Sequence, residues 1–189
     1  MLISSSKQDI GVWISYSKFL FKHSDEIPPE SVLKRSRFLT ESPVSKKDKT
    51  EKSKNAKKLL SKALNVLDKR LHFQFLLRFA KTEFLFGSKI EARQTFSDLL
   101  QAHQRNSRAW GTLIDLETDL LKKNSGSSDQ KEICRVIFEK ALSADLPLKE
   151  VKFVFSRYLD FADQFCSEKE VLEVKNKARE YALKMKNKN

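Results

Sequence analysis

The chain has 189 residues and a formal net charge of +12, and only four of its residues are glycine and four are proline. That composition suits one domain or a short array of helices joined by short turns, and the 14 phenylalanines predict a core built on aromatic rings. No stretch approaches the ~20 apolar residues of a membrane span. Lys18 and Lys22 interrupt the first apolar run, which excludes a signal peptide, so we expect an intracellular protein without a membrane anchor.

In chain order, apolar residues spaced three and four apart predict eight helices in four antiparallel pairs. The first begins at Asp9 and includes the first apolar run, the second covers about 54–67 and the third about 70–86. The fourth begins at Ser88, the fifth runs from Ser107 to about 123, and the sixth covers about 130–144. The seventh runs from Pro147 to about 165, and the eighth runs from Ser167 into the C-terminal tail. Gly87 is predicted to end the third helix in a left-handed conformation. Ser88 with Glu91, and Ser167 with Glu170, have the spacing of a capping box.

Composition divides the chain into five segments. They are a loose N-terminus (1–8), the first helix of repeat 1 (9–30), a basic insert (31–53), the helical repeats (54–174) and the end of the last helix with a basic tail (175–189). The insert is expected to be mainly disordered because it combines proline, serines and a charge excess. A short helix is expected within it, at Val32, Leu33, Phe38 and Leu39.

A nine-residue pattern recurs four times, beginning at Ala56, Ala92, Cys134 and Ala178. Each copy has a small residue first, a basic residue second and a helical apolar rhythm, and an aromatic-rich helix precedes it. A two-helix unit repeated at roughly 34 to 45 residues is typical of stacked helical solenoids. The sequence therefore predicts an all-α fold, an α-α superhelix (solenoid) of about four helix pairs. Extra residues collect in the turns between paired helices, along one edge that is often an interaction edge.

Matching repeat positions carry aromatic residues that we predict to pack between helices rather than to line a cofactor pocket. These structural residues are Trp13, Tyr16, Phe79, Trp110 and Tyr158. Core packing is the simpler interpretation because wide rings facing a small residue let two helices approach closely.

Charged residues also recur at matching positions. Glu83 and Glu117 share one position, and Arg93 and Arg135 share another. We predict partly buried ion pairs Glu83–Arg93 and Glu117–Arg135 that set the helix register. Exposed pairs would contribute almost nothing to stability.

Basic residues are concentrated in two segments. From Lys34 to Lys62 eleven Lys and Arg face three acids, and from Lys175 to Asn189 six face one, so the repeats are predicted to be nearly neutral. The candidates for RNA contact are Lys46, Lys47, Lys49, Lys57, Lys58, Lys184 and Lys186. Such contacts act through counterion release and give salt-dependent, sequence-tolerant binding. Solvated linkers or nuclear-import signals are an alternative interpretation that is compatible with RNA contact.

Catalytic residues are not apparent in the sequence. His23, His72 and His103 lie far apart in the repeat map, and neither Cys134 nor Cys166 has nucleophile or metal-ligand spacing. The cysteines are expected to be buried thiols in a reducing compartment. We predict no enzyme activity, cofactor, metal or small-molecule substrate.

The repeat pattern resembles the half-a-tetratricopeptide (HAT) repeat, which occurs in RNA-processing assemblies. The runs LLRFAKTEFLFG (76–87), ARQTFSDLL (92–100), RAWGTLIDLE (108–117), VIFEKAL (136–142) and LKEVKFVFSRYLDF (148–161) resemble the C-terminal repeat domain of the ribosomal RNA-processing protein 5 family, which includes programmed cell death protein 11. The resemblance implies HAT/TPR-like helix pairs, location in the nucleus and nucleolus, and a role in early pre-ribosomal RNA cleavage. Family members usually carry an array of OB-fold RNA-binding domains, which this sequence lacks. We therefore expect a short relative, a separately encoded half or a fragment.

Two functions of different classes fit these features. The first is a non-catalytic scaffold in ribosome biogenesis that docks assembly factors on its repeats while basic arms contact pre-ribosomal RNA. The second is a protein whose helical array itself grips RNA, although nearly neutral repeats favour the scaffold. A scaffold or RNA-binding protein of splicing or messenger 3′-end processing is the nearest alternative in pathway.

Overall fold

The computed structural model describes residues 9–22, 49–124 and 126–186, and the described chain is all helical. Its helices are α1 (Ile10–Lys22), α2 (Lys49–Val66), α3 (Lys69–Phe86), α4 (Lys89–Ala102), α5 (Ser107–Lys123), α6 (Ser128–Ser143), α7 (Leu148–Phe165) and α8 (Glu168–Lys186). The predicted all-α helical-repeat (solenoid) fold is confirmed, and the predicted helices are present. The largest shift is in α2, which begins at Lys49 instead of about residue 54. The short helix expected in the insert and the loose N-terminus lie outside the described residues.

Polar side chains cap the N-termini of several helices. The Asp9 carboxylate accepts a hydrogen bond from the Gly11 amide (2.8 Å), and the Asp68 carboxylate accepts one from the Arg70 amide (2.9 Å). Asn106 accepts from the Arg108 amide at 3.1 Å. Each bond satisfies a donor that the first turn of a helix leaves without an intrahelical partner.

The chain divides into two compact units, Met1–Leu99 and Leu100–Asn189. In the first unit α1 packs on both α2 and α3. The Phe21 ring centre lies 5.7 Å from that of Phe79, which lies 6.1 Å from that of Phe75. The buried cluster consists of Ile10, Phe21, Ala56, Ala63, Leu67, Phe75 and Phe79. Small alanines of α2 thus meet the rings of α1 and α3, the arrangement that the repeat pattern predicted.

In the second unit α6 packs between α5 and α7, and α8 packs on α7. The rings of Phe138 and Tyr158 are stacked with centres 4.6 Å apart and an interplanar angle of 4°. Phe155 reaches Tyr181 of α8, with ring centres 5.7 Å apart. The aromatic core that the phenylalanine content predicted is therefore present in both units.

Gly87 ends α3, but not in the predicted left-handed conformation. Its φ is −111°, which lies outside the left-handed region, and its ψ is −142°. A Cβ at this position would lie 2.9 Å from the Phe21 ring and 3.0 Å from the backbone oxygen of Glu83. Close approach of α1, rather than a positive φ, therefore requires glycine here. The glycine with positive φ is Gly126 (76°), in the loop between α5 and α6.

Candidate functional surfaces

Basic side chains of α2 form the first candidate surface. The helix carries six lysines and one glutamate. Lys58 is exposed, whereas the Lys57 ammonium group is held 3.2 Å from the Glu91 carboxylate of α4. Lys49 is the first residue of α2. The predicted candidates Lys46 and Lys47 lie outside the described residues.

The C-terminal candidates lie on α8 rather than on an extended tail. Lys184 is exposed on this helix, and Lys186 is its last residue. Because α8 carries six basic and four acidic residues, its net charge is smaller than that of α2. The two predicted basic arms are thus largely helical where the structure describes them.

Positive charge is concentrated in the helices of the first unit. Besides α2, the first unit has α1 with two lysines and no acid, and α3 with four basic residues and one acid, Glu83, which is fully buried. In α4, α5, α6 and α7 basic and acidic residues are equal in number. The prediction that the repeats are nearly neutral is therefore wrong for α1 and α3, because averaging over the chain hid their positive charge behind acids elsewhere.

Glu83 is a fully buried carboxylate between α3 and α4. Its Oε2 accepts a hydrogen bond from the Thr95 hydroxyl at 2.7 Å, while Oε1 is buried without a hydrogen-bond partner in the described structure. Burial raises the pKa of Glu83, and the nearby Glu91 carboxylate adds to this, whereas Thr95 and Lys57 oppose it. The ion pair predicted between Glu83 and the half-buried Arg93 stays a prediction.

Glu117 is the equivalent buried carboxylate of the second unit, but its partner is not the predicted one. The side-chain amide of Gln130 donates to Glu117 Oε2 at 2.6 Å and to its backbone oxygen at 3.2 Å. Arg135 pairs instead with Glu170 of α8 and, at 3.9 Å, with Glu132. The Glu117–Arg135 prediction is wrong because Gln130, more than one turn earlier on α6, is the residue that faces Glu117.

Glu170 joins α8 to α6 and caps its own helix. Its carboxylate accepts hydrogen bonds from the Ser167 amide (2.8 Å) and hydroxyl (2.9 Å) and contacts Lys131 at 3.1 Å. The return contact, from the Glu170 amide to the Ser167 hydroxyl, is 3.5 Å long, so the predicted capping box is present. At the other predicted box the Glu91 amide lies 3.5 Å from the Ser88 hydroxyl, but the Glu91 carboxylate contacts Lys57.

Replacing Glu170 by glutamine is expected to lower the melting temperature at neutral pH. The Ser167 amide and hydroxyl together with Lys131 lower the pKa of Glu170 to about 2, so its stabilising effect is complete above the ordinary glutamate pKa of about 4.3 and declines as the pH falls toward 2. Melting curves from pH 2 to pH 7 should therefore converge for the two proteins at the acid end. Glu173→Gln, an exposed position on the same helix, is the control and should change little. A constant difference across the range would contradict the ion-pair role.

The five structural aromatic residues have different degrees of burial. Phe79, Trp110 and Tyr158 are buried, whereas Trp13 and Tyr16 are half-buried. The Trp110 indole donates to the Gln104 backbone oxygen at 2.9 Å, and the Tyr158 hydroxyl donates to Glu139 at 3.0 Å. Burial, together with the Glu139 bond, raises the pKa of Tyr158 above its usual range. These bonds satisfy the polar ends of two buried rings.

The remaining candidate chemical groups are dispersed. Cys134 is buried on α6, Cys166 is half-buried, and neither forms a disulfide within the described residues. A His72 ring nitrogen lies 2.9 Å from the Leu67 backbone oxygen, and His23 lies outside the described residues. In the described ranges no three His, Cys, Asp or Glu side chains converge as metal ligands. None of the described helices is long and apolar enough to cross a membrane.

The paired helices define an all-α helical-repeat protein, and curated proteins of several species are similar to it in sequence. The chain is 28% identical over 180 residues to the mouse Protein RRP5 homolog, covering 95% of this chain and 8% of that protein. It is 29% identical over 180 residues to the human Protein RRP5 homolog, again covering 95% of the chain and 8% of the relative. The fission yeast rRNA biogenesis protein rrp5 is 26% identical over 181 residues, which cover 96% of the chain and 9% of that protein.

The resemblance to the ribosomal RNA-processing protein 5 family is thereby confirmed along nearly the whole chain. The chain spans less than a tenth of the length of these curated relatives. No protein-family profile matches it.

Proposed function

We propose that the chain is a non-catalytic helical-repeat scaffold in ribosome biogenesis. It docks other assembly factors on its helix pairs and contacts pre-ribosomal RNA through basic helical surfaces in the nucleolus. The observation that carries this proposal is the similarity to rRNA biogenesis proteins across 95% or more of the chain. The all-helical repeat fold supports the scaffold role, since stacked helix pairs present extended surfaces for binding.

The RNA-contacting part of the proposal rests on α2 and the end of α8. Lys58 and Lys184 are exposed, and lysines of this kind bind phosphates without reading sequence. Lys57 is a weaker candidate because its ammonium group already has the Glu91 carboxylate as a partner. The contact is therefore expected to be tolerant of RNA sequence and sensitive to salt.

The affinity for RNA, measured against salt, tests this part. The double variant Lys58→Ala/Lys184→Ala is expected to reduce the slope of log K against log salt by about 1.4 for single-stranded RNA, about 0.7 for each phosphate that the protein no longer neutralises. Lys140→Ala/Lys152→Ala, two exposed lysines of α6 and α7, is the matched control and should keep the slope of the wild type. Equal slopes for all three proteins would refute RNA contact by these lysines.

A further inference from the structure

One face of the first unit is basic and partly apolar, and the proposed RNA contacts do not use it. On α3, Arg78, Lys81 and Leu85 are exposed and spaced three and four residues apart, so they share one face of the helix over about 10 Å. Leu85 keeps 48% of its surface exposed. At the C-terminal end of this stripe, Lys18 and Lys22 of α1 reach across to Phe86.

The two lysines of α1 are held by an aromatic ring. Their ammonium nitrogens lie 4.8 Å and 4.7 Å from the centre of the Phe86 ring, which is the geometry of a cation–π contact. The contact positions both charges at the end of the stripe. Within the described part of the chain, the ion pairs are formed by other residues, and neither these two lysines nor Arg78 and Lys81 take part in one. We call Lys18, Lys22, Arg78, Lys81, Leu85 and Phe86 the α1/α3 face.

We propose that the α1/α3 face docks an acidic protein segment that carries apolar anchor residues. Its four cations, which have no carboxylate partner in the described structure, are complementary to aspartates and glutamates of a partner, and Leu85 offers apolar area that such a segment can cover. This inference deepens the proposed docking function and rests on it. It names the surface of the first unit and the chemistry of the partner.

The same cations could attract RNA, but the apolar members of the face favour a protein. An aliphatic side chain such as Leu85 has no flat surface on which a base can stack, and single-stranded RNA sites depend on stacking. The one ring of the α1/α3 face, Phe86, already has two ammonium groups over it. An acidic segment with leucine-like anchors uses both the charges and Leu85.

Binding of defined probes to the whole chain tests the proposal. The probes are a labelled 12-residue peptide that alternates Glu and Leu, a second in which Ser replaces Leu, and a 12-nucleotide oligouridine. We expect the Glu/Leu peptide to bind more tightly than the other two. Arg78→Glu/Lys81→Glu should weaken its binding at least about tenfold, because charge reversal replaces attraction by repulsion. Leu85→Ser should weaken binding of the Glu/Leu peptide but leave binding of the Glu/Ser peptide unchanged.

The control variant is Lys149→Glu/Lys152→Glu, two exposed lysines on α7 of the other unit, which should bind the Glu/Leu peptide as the wild type does. All substituted side chains are exposed, and unchanged melting curves show that each variant folds. Oligouridine binding that Arg78→Glu/Lys81→Glu abolishes, with no peptide binding, would overturn the proposal in favour of RNA. Peptide binding that none of the variants changes would also overturn it.

A pull-down separates this inference from the proposed function. If wild-type protein and Arg78→Glu/Lys81→Glu retain the same ribosome-assembly proteins after ribonuclease treatment, the α1/α3 face is not the docking site. The proposed docking function then stands, with the site elsewhere on the protein. If the wild type retains no such proteins, the proposed docking function itself fails. Loss of an assembly protein from the variant alone, together with the peptide result, supports the inference.

Discussion

Replacing Gly87 by alanine is expected to lower the free energy of unfolding by about 1–3 kcal/mol, the usual cost of inserting a methyl group into a packed site. The added Cβ would lie 2.9 Å from the Phe21 ring and 3.0 Å from the Glu83 backbone oxygen. Phe21 is buried against Phe79, so its ring has little room to move. Chemical denaturation of the purified protein measures the effect.

Gly111→Ala is the matched control and should act in the opposite direction. Gly111 lies inside α5, and nothing lies within 4 Å of the position that its Cβ would take. Alanine is the better helix former, so the free energy of unfolding should rise by about 1 kcal/mol. If Gly87→Ala were also stabilising, the close approach of α1 to the end of α3 would be refuted. In a Phe21→Leu background the cost of Gly87→Ala should shrink, because the smaller side chain removes the clash with the ring and leaves only the close contact with the Glu83 oxygen.

Replacing Glu83 by glutamine is expected to stabilise the protein at pH 7 and to have a smaller effect at pH 4. The pKa of Glu83 is raised because burial disfavours its charged form. A carboxyl group of this kind contributes most to stability below its unfolded pKa of about 4.3, and the contribution is lost as the pH rises through the higher folded pKa. Glutamine does not titrate and keeps an acceptor for Thr95, so it removes the cost of burying a charge without removing that hydrogen bond.

Glu83→Ala is the contrasting variant, expected to be about 1–3 kcal/mol less stable because it removes the Thr95–Glu83 hydrogen bond and opens a cavity. Unfolding free energies between pH 4 and pH 8 compare the three proteins. A difference between wild type and Glu83→Gln that does not vary with pH would contradict the role assigned to burial.

Helix positions could be predicted from sequence because the signals that set them are local. Asp9 and Ser167 bond to groups only two or three residues away, and apolar spacing marks each buried face. The role of Gly87 could not be predicted in the same way. Whether a glycine serves a positive φ or a close approach depends on a helix distant in sequence, and here that helix is α1.

The hydrogen-bond partners of buried charged residues could not be predicted from the sequence either. Glu117 could have faced several polar residues of α6, and its contact with Gln130 depends on how the two helices pack. The positive charge of α3 was not predicted for a different reason. A sum over the whole chain cannot show that Glu83, the one acid of α3, is buried and leaves the four basic residues of that helix to dominate its surface.

The proposed scaffold role in ribosome biogenesis is tested most directly by a tagged pull-down of the chain from nuclear extract with and without ribonuclease. For such a scaffold, we expect ribosome-assembly proteins to remain bound after ribonuclease treatment and pre-ribosomal RNA to be recovered without it. Recovery of spliceosomal or messenger 3′-end components without pre-ribosomal RNA would contradict the pathway. Loss of every bound protein on ribonuclease treatment would contradict the scaffold.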